Sequence, residues 1–216
     1  MRIIVGMATT NERRANAIKA MDSLAPYVDE IHLYNNDKES VDYTDNAKFF
    51  YIDRYKEPVY WISADDDIIY PEWFVDTCID KIEQYNSIVT FHGRRLKGTN
   101  LNYYREHYLY SLKNLIPRDV KIDIAGTGVS AWRTDQFNAK ELYKANDKKM
   151  ADLVLSLEAK KQGVDIMMIA HDKEDFIVQD IPKELTIFDE MKDKQERLIQ
   201  LANEIYETNR KSKRRF

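Results

Sequence analysis

Short apolar segments alternate with amphipathic ones along the chain, and this alternation limits the fold more than any other sequence feature. The segment Arg2 to Ala8 is rich in Ile and Val, which is typical of a strand buried on both faces. From Glu12 the apolar positions recur at helical spacing until Pro26 ends the run. A second short apolar segment follows at Glu30 to Tyr34. Strands that alternate with helices predict an α/β protein with a mostly parallel central sheet flanked by helices.

The same alternation continues to the end of the chain. Further strands are predicted at Phe49 to Ile52, Val59 to Ser63, Ile88 to Phe91, Val129 to Trp132 and Val164 to Ala170, and further helices at Glu72 to Tyr85, Lys148 to Gly163 and about Asp189 to Thr208. The segment Gly93 to Lys121 is polar and aromatic and has no clear period. We therefore predict one Rossmann-like domain over residues 1–180 and a C-terminal helical extension with a basic tail over residues 181–216.

Charge and cysteine content bear on the class of protein. The chain has 33 Lys and Arg against 37 Asp and Glu, so its net charge of -4 gives no overall attraction to nucleic acid. Cys78 is the only cysteine, so no disulfide can form within the chain, and a cytoplasmic location is expected. No window approaches the roughly 18 apolar residues of a spanning helix, so we expect no integral membrane segment.

The last residues form a basic tail. Asn209 to Phe216 contain five Lys or Arg and no acidic residue. Such a tail is either a frayed, solvated end or a contact for acidic lipid or nucleic acid. On the second interpretation the protein would bind peripherally at a membrane.

Three consecutive carboxylates follow the strand predicted at Val59 to Ser63. Asp65, Asp66 and Asp67 would repel one another unless a cation lies between them. Magnesium and manganese prefer oxygen ligands, and they commonly bridge one or two carboxylates to substrate phosphates. The end of a strand in an open α/β sheet is also where such folds bind ligands. The alternative is a solvated turn at the N-terminus of the next helix, where Asp is favourable.

The sequence around this triplet resembles a known family. The segment WISADDDIIYP is similar to the DxD segment of family-2-like GT-A glycosyltransferases. The opening RIIVGMATTNER resembles that family's first strand and following loop, which would bring Thr9 and Arg13 to the nucleotide. The family usually has an acidic pair near the base, whereas this chain has IHLYNND, with Asn36 as the expected contact.

Three later segments resemble the family in the same order. IAGTGVSAWR is similar to a glycine loop on the acceptor side, with Gly126 and Gly128. MADLVLSLEAKKQG places Asp152 where inverting members have their base, although the family's usual Glu before this Asp is absent. IMMIAHD places His171 after a strand, where GT-A enzymes often have a histidine that binds the metal. The resemblance extends over roughly residues 1–172.

The resemblance implies a single GT-A domain and a metal-dependent, inverting glycosyltransferase. Asp67 and His171 would bind Mn²⁺ or Mg²⁺, Asp65 and Asp66 would lie at the donor, and Asp152 would act as the base. A UDP-sugar is the family's commonest donor. We expect a glycan or lipid-linked glycan as acceptor, then a protein or modified nucleic acid. Because the chain is short, a partner or a homodimer would complete the acceptor side.

Other interpretations stay open at this point. A metal–carboxylate site would also serve a nucleotidyltransferase, although the loop after the first strand lacks the Gly-rich, basic sequence that such enzymes typically have. A non-catalytic nucleotide-sugar-binding module would make Asp152 dispensable. Taken singly, Asp152 could interact only with a helix dipole, His171 could be structural, Gly126 and Gly128 could form a hairpin turn, and Arg13 could be a surface cation.

Overall fold

The computed structural model describes residues 1–98, 107–182, 197, 200–205 and 207. The strands of these residues are β1 (Ile3–Thr9), β2 (Glu30–Asn35), β3 (Tyr60–Ala64), β4 (Ile68–Ile69), β5 (Ile88–Thr90), β6 (Gly93–Leu96), β7 (His107–Tyr110), β8 (Val120–Ile122), β9 (Ile124–Ala125), β10 (Val129–Arg133), β11 (Ile166–Met168) and β12 (Ile177–Val178). The α-helices are α1 (Arg14–Leu24), α2 (Phe74–Tyr85) and α3 (Ala151–Gln162), and 3₁₀ segments lie at Ala25–Tyr27, Thr44–Arg54 and Leu142–Lys144.

Seven strands form the central sheet, in the order β2-β1-β3-β10-β5-β11-β8. Five of them point in the same direction, while β10 and β8 are antiparallel to their neighbours. Two small sheets, β12-β4 and β7-β6-β9, lie beside it. The predicted α/β architecture, a mostly parallel sheet flanked by helices, is confirmed.

The central sheet buries apolar residues on both faces, because successive side chains of a strand point to opposite sides. On one face, here the α1–α2 face, Val5 of β1 and Ile62 of β3 pack with apolar residues of α1 and α2. On the other, here the α3 face, Ile4 and Trp61 pack with the 3₁₀ segment Thr44–Arg54 and with α3. The sheet is therefore the middle of three layers.

The short strand predicted at Phe49 to Ile52 is wrong. These residues belong to the 3₁₀ segment Thr44–Arg54, in which Phe49 and Ile52, three residues apart, are both buried on the α3 face. A period of three residues brings such a pair to one side of a 3₁₀ helix. The segment has no place in the sheet near β1, because β2 and β3 already pair with the two sides of that strand.

The other predicted elements are confirmed with shifted ends where they lie among the described residues, and much of the predicted terminal helix lies outside them. The helix predicted from Lys148 begins at Ala151, and the strand predicted over Val164 to Ala170 is limited to β11. Helical residues 200–205 fall within the predicted terminal helix, and their Leu201, Ala202 and Ile205 pack with residues of α3 such as Leu153. The basic tail, Asn209 to Phe216, lies outside the described residues. None of the helices that the structure describes is long and apolar enough to span a membrane.

Candidate functional site

Polar residues gather at one edge of the central sheet. The parallel neighbours β1 and β3 end at Thr9 and Ala64, so Thr9 and the acidic triplet Asp65–Asp67 leave the sheet side by side. β5 and β11 point the same way and lead to His92 and His171. These residues therefore share the carboxyl edge of the sheet, the position at which open α/β folds bind ligands.

Asp66 is the most enclosed member of the acidic triplet, with 3% of its surface exposed. Thr9 Oγ1 donates a hydrogen bond to its Oδ2 at 2.6 Å, and the Arg13 guanidinium donates to its Oδ1. Arg13 also lies 3.3 Å from Oδ2 of Asp67. Arg13 is therefore an ion-pair partner of two carboxylates of the site. The triplet does not cap α2, which begins at Phe74 without a side-chain cap.

The three carboxylates differ in electrostatic environment. Burial raises the pKa of Asp66 although Arg13 opposes the shift. Burial and the charge of Asp65 raise the pKa of Asp67 to about 6. Desolvation also acts to raise the pKa of Asp65, but the Lys48 ammonium outweighs it and holds that pKa below its ordinary value. Asp67 is thus the carboxylate of the triplet that its neighbours neutralise least.

Lys48, a residue that the sequence patterns do not predict, lies beside the triplet. It belongs to the 3₁₀ segment Thr44–Arg54, and only 4% of its side chain is exposed. Its ammonium contacts Oδ1 of Asp65 and donates to Thr127 Oγ1 at 3.4 Å. The opposite charges of Asp65 and Asp45 outweigh desolvation and raise the pKa of Lys48, so the side chain is a cation.

Asp152 lies in the first turn of α3, with its carboxylate against the loop before β10. The backbone N–H and the hydroxyl of Thr127 both donate to Oδ1 of Asp152, each at 2.7 Å. Oδ2 accepts no hydrogen bond within the described part of the chain. Asp152 therefore has one anchored oxygen and one oxygen open to a ligand.

Gly126 and Gly128 flank Thr127 and lie against other site residues. A Cβ on Gly128 would come 1.9 Å from Oδ2 of Asp65, and a Cβ on Gly126 would come 2.6 Å from the His92 ring. Neither glycine has a positive φ, so close approach, and not an unusual turn conformation, requires them. The loop lies between Asp65 and Asp152, and its contact with an acceptor stays a prediction.

His171 lies just after β11, with 7% of its surface exposed. Its Nδ1 is 2.9 Å from the Ile169 carbonyl oxygen, while its Nε2 is buried without a hydrogen-bond partner among the described residues. Phe91 and Phe176 flank the ring at 5.8 Å between centroids. Where the structure describes the chain, no three His, Cys, Asp or Glu side chains come close enough to hold a metal ion. Metal binding by Asp67 and His171 stays a prediction.

Asn36 uses both ends of its side-chain amide within the chain. Nδ2 donates to the Thr44 carbonyl oxygen at 3.0 Å, and Oδ1 accepts from the backbone N–H of Tyr43 at 3.0 Å. These bonds close the loop between β2 and the 3₁₀ segment Thr44–Arg54. The structure therefore gives Asn36 a role in this loop, and its predicted contact with a nucleotide base stays a prediction.

Three residues of the site were not among those predicted: Lys48, Thr127 and His92. Burial lowers the pKa of His92 despite the nearby charge of Asp152, so its ring is neutral at neutral pH. A signal for Lys48 exists in the sequence, since it is a single cation next to the apolar run Phe49 to Ile52. For Thr127, the only sequence signal of a role in the site is its position between two glycines.

The fold and the site define an α/β protein with a charged site at the carboxyl edge of its sheet. No family model and no curated protein sequence matches the chain. The structure of A197 from STIV is similar in fold, with a TM-score of 0.41 and 11% identity over 84% of this chain and 96% of that one. S. aureus TarS 1–349 in complex with UDP-GlcNAc gives a TM-score of 0.46 and 11% identity over 84% of this chain.

The structure of S. aureus TarS 1–349 by itself gives a TM-score of 0.43 and 12% identity over 83% of this chain. The matched parts are 59% and 60% of the two TarS structures, less than two thirds of their length. All three TM-scores lie under 0.5. These similarities concern the fold and carry no argument about function.

Proposed function

We propose that this protein transfers a sugar from a nucleotide-diphosphate donor to an acceptor hydroxyl. The observation that carries the proposal is a continuous polar network at the carboxyl edge, which runs from Asp65 through Lys48 and Thr127 to Asp152. One end has clustered carboxylates, suited to a cation and a diphosphate. The other has a carboxylate with an open oxygen, suited to accept a proton. The resemblance of five sequence segments to family-2-like GT-A glycosyltransferases supports the same assignment.

Asp152 is the proposed base. Thr127 anchors its Oδ1, which leaves Oδ2 to take the proton of the acceptor hydroxyl. The hydroxyl oxygen forms a bond to the anomeric carbon as the bond from that carbon to the diphosphate breaks. Attack on the face opposite the leaving group inverts the anomeric centre. Thr9 and Arg13 hold Asp66 on the donor side, where the Arg13 guanidinium can also pair with the diphosphate.

Mn²⁺ or Mg²⁺ fits the charges of this edge. The acidic side chains outnumber the basic ones: Asp45, Asp65, Asp66, Asp67 and Asp152 against Arg13 and Lys48. Asp67 has the least compensated charge of the triplet, and the buried Nε2 of His171 has no partner among the described residues. These two residues would hold the cation, with donor phosphates and water as further ligands. Bound there, it would stabilise the negative charge of the leaving diphosphate as a Lewis acid.

A donor screen tests the proposal. The purified protein with MnCl₂ is mixed with a panel of nucleotide sugars, UDP-GlcNAc first, and release of nucleoside diphosphate is measured. We expect slow hydrolysis of one donor, abolished by EDTA and by Asp67→Ala. Asp152→Asn should lower kcat by about 100-fold or more with little change in donor affinity. Asp22→Asn, at an exposed position of α1, is the matched control and should retain the wild-type rate.

Each other outcome of the screen would indicate a different function. Metal-dependent donor binding with no turnover, even with a panel of glycan and lipid-linked acceptors, would indicate a non-catalytic binding module. Release of pyrophosphate from a nucleoside triphosphate would indicate a nucleotidyltransferase. If the protein binds neither manganese nor any nucleotide, the proposed function is wrong.

A further inference from the structure

Lys48 is buried where an ammonium group is costly unless it is paired. The 3₁₀ segment that carries it packs directly on β1, since a Cβ on Gly6 would come 2.1 Å from the Lys48 carbonyl oxygen and 2.3 Å from the Trp61 ring. Phe49 and Ile52 of the same segment are buried in the α3 face. The backbone of Lys48 is therefore fixed by packing, and its side chain reaches the site from a rigid base.

The same 3₁₀ segment contacts both ends of the site. Lys48 contacts Asp65, next to the donor carboxylates. Three residues earlier, Asp45 Oδ2 accepts a hydrogen bond at 2.9 Å from the backbone N–H of Ala151, the first residue of α3. The next residue of α3 is Asp152. One segment thus links Asp65 with the helix end that carries the proposed base.

A second link runs through side chains alone. Lys48 Nζ donates to Thr127 Oγ1 at 3.4 Å, and Thr127 Oγ1 donates to Asp152 Oδ1 at 2.7 Å. Because an ammonium group can only donate, it directs the Thr127 hydroxyl hydrogen toward Asp152. Thr127 is 2% exposed, so water does not readily replace this arrangement.

We propose that Lys48 is a positioning residue that holds Asp65 and, through Thr127, Asp152 in one fixed geometry, so that the donor and the acceptor hydroxyl meet correctly. This proposal rests on the proposed function. It assigns a role in that function to a residue that contacts neither the transferred sugar nor the proton of the acceptor hydroxyl. Its role differs from simple neutralisation of Asp65, because neutralisation alone would not require the contact with Thr127.

The test compares Lys48→Met with the double variant Lys48→Met/Asp65→Asn. Lys48→Met leaves Asp65 unpaired and should lower the thermal midpoint. The double variant removes both charges and should regain much of that stability. For both, we expect kcat for donor turnover to fall by about 100-fold, with a smaller change in KM, because a displacement of about 1 Å is sufficient for such a loss. Lys48→Arg should regain part of the rate, and Lys56→Met, at an exposed lysine, should keep all of it.

The single variant Asp65→Asn, which removes a carboxylate of the donor side, sets the reference rate: a double variant no slower than this single variant would overturn the proposal, since Lys48 would then only neutralise Asp65. Crystal structures of the wild type and the double variant give a readout that needs no turnover. We expect the Thr127 hydroxyl to rotate away from Asp152 in the variant. If Thr127 and Asp152 keep their places, the positioning role is wrong. If the wild type turns over no donor but the variant shows the shift, the proposed function fails while the positioning role stands.

Discussion

The two faces of the central sheet bury different kinds of residue. The α1–α2 face contains apolar side chains such as Phe74 and Cys78 from regular helices. The α3 face is equally apolar close to the sheet, but the 3₁₀ segment packed on it also buries Lys48 and Asn46. Lys48 and Asp152 enter the site from this second face, whereas Arg13 enters from the start of α1. A helix with one apolar stripe suits stability, whereas an irregular segment can turn a buried cation toward the carboxyl edge.

We therefore predict that substitutions in one face change stability alone, whereas substitutions in the other face change both stability and ligand binding. Substitutions in the α1–α2 face away from the carboxyl edge should change the free energy of unfolding without changing the folded site. Substitutions beneath the 3₁₀ segment should change both. The four variants below test this in order of decreasing expected effect.

Ile82→Ala should have the largest effect, a loss of about 4 kcal/mol in the free energy of unfolding, because it leaves a cavity in the α1–α2 face at the last turn of α2, away from the site. Urea denaturation measures the loss. Nucleotide-sugar affinity, measured by calorimetry at low temperature where the variant is folded, should be unchanged. Tyr108→Ala, at a ring 56% exposed, is the control and should cost far less. Loss of affinity in folded Ile82→Ala would remove the distinction between the faces.

Gly6→Ala should cost about 3 kcal/mol, since the new methyl group overlaps the Lys48 backbone and the Trp61 ring. It should also weaken donor binding, because the 3₁₀ segment must move with Lys48. Gly163→Ala is the matched control: nothing lies within 4 Å of its Cβ position, and its φ of 74° alone should cost about 1 kcal/mol. Unchanged donor affinity in Gly6→Ala, with only stability lost, would contradict the coupling.

Thr127→Val should lower kcat by about tenfold, equal to about 1.4 kcal/mol in the barrier. It removes the hydroxyl between Lys48 and Asp152 but keeps the backbone N–H bond to Asp152. Initial-rate kinetics on the donor identified in the screen measure the change. Thr127→Ser should restore the rate, and Thr134→Val, whose hydroxyl accepts only from Val59 N–H in the described structure, should not affect it.

Lys121→Ala should have the smallest effect, within about 0.5 kcal/mol of wild-type stability. Lys121 and Asp165 lie 2.5 Å apart, but their side chains are 55% and 52% exposed, so water solvates both charges when the pair is broken. Urea denaturation of this variant beside Lys48→Met compares an exposed lysine with a buried one. A loss from Lys121→Ala as large as that from Lys48→Met would show that burial does not distinguish the two ion pairs.

The periodicity of the sequence predicts most of the fold because it records which side of each element is buried. The residues around β1, α1 and β2 were predicted nearly to their ends. The 3₁₀ segment Thr44–Arg54 was not, since a run of four apolar residues fits a strand or a turn of helix equally well. The position of this segment against β1 depends on Gly6, because only a residue without a side chain lets the backbone of Lys48 come so close.

For the site, the sequence by itself determined the residue types that need a partner: the consecutive carboxylates of Asp65–Asp67 and the acidic residue at the start of α3. Tertiary structure decided which partners they have. Lys48 lies 17 positions from Asp65 and 79 from Thr127, and Thr127 lies 25 positions from Asp152. A local pattern cannot encode such pairings, because they arise only when β1, the 3₁₀ segment and α3 pack together and the exclusion of water makes each buried charge depend on its neighbours.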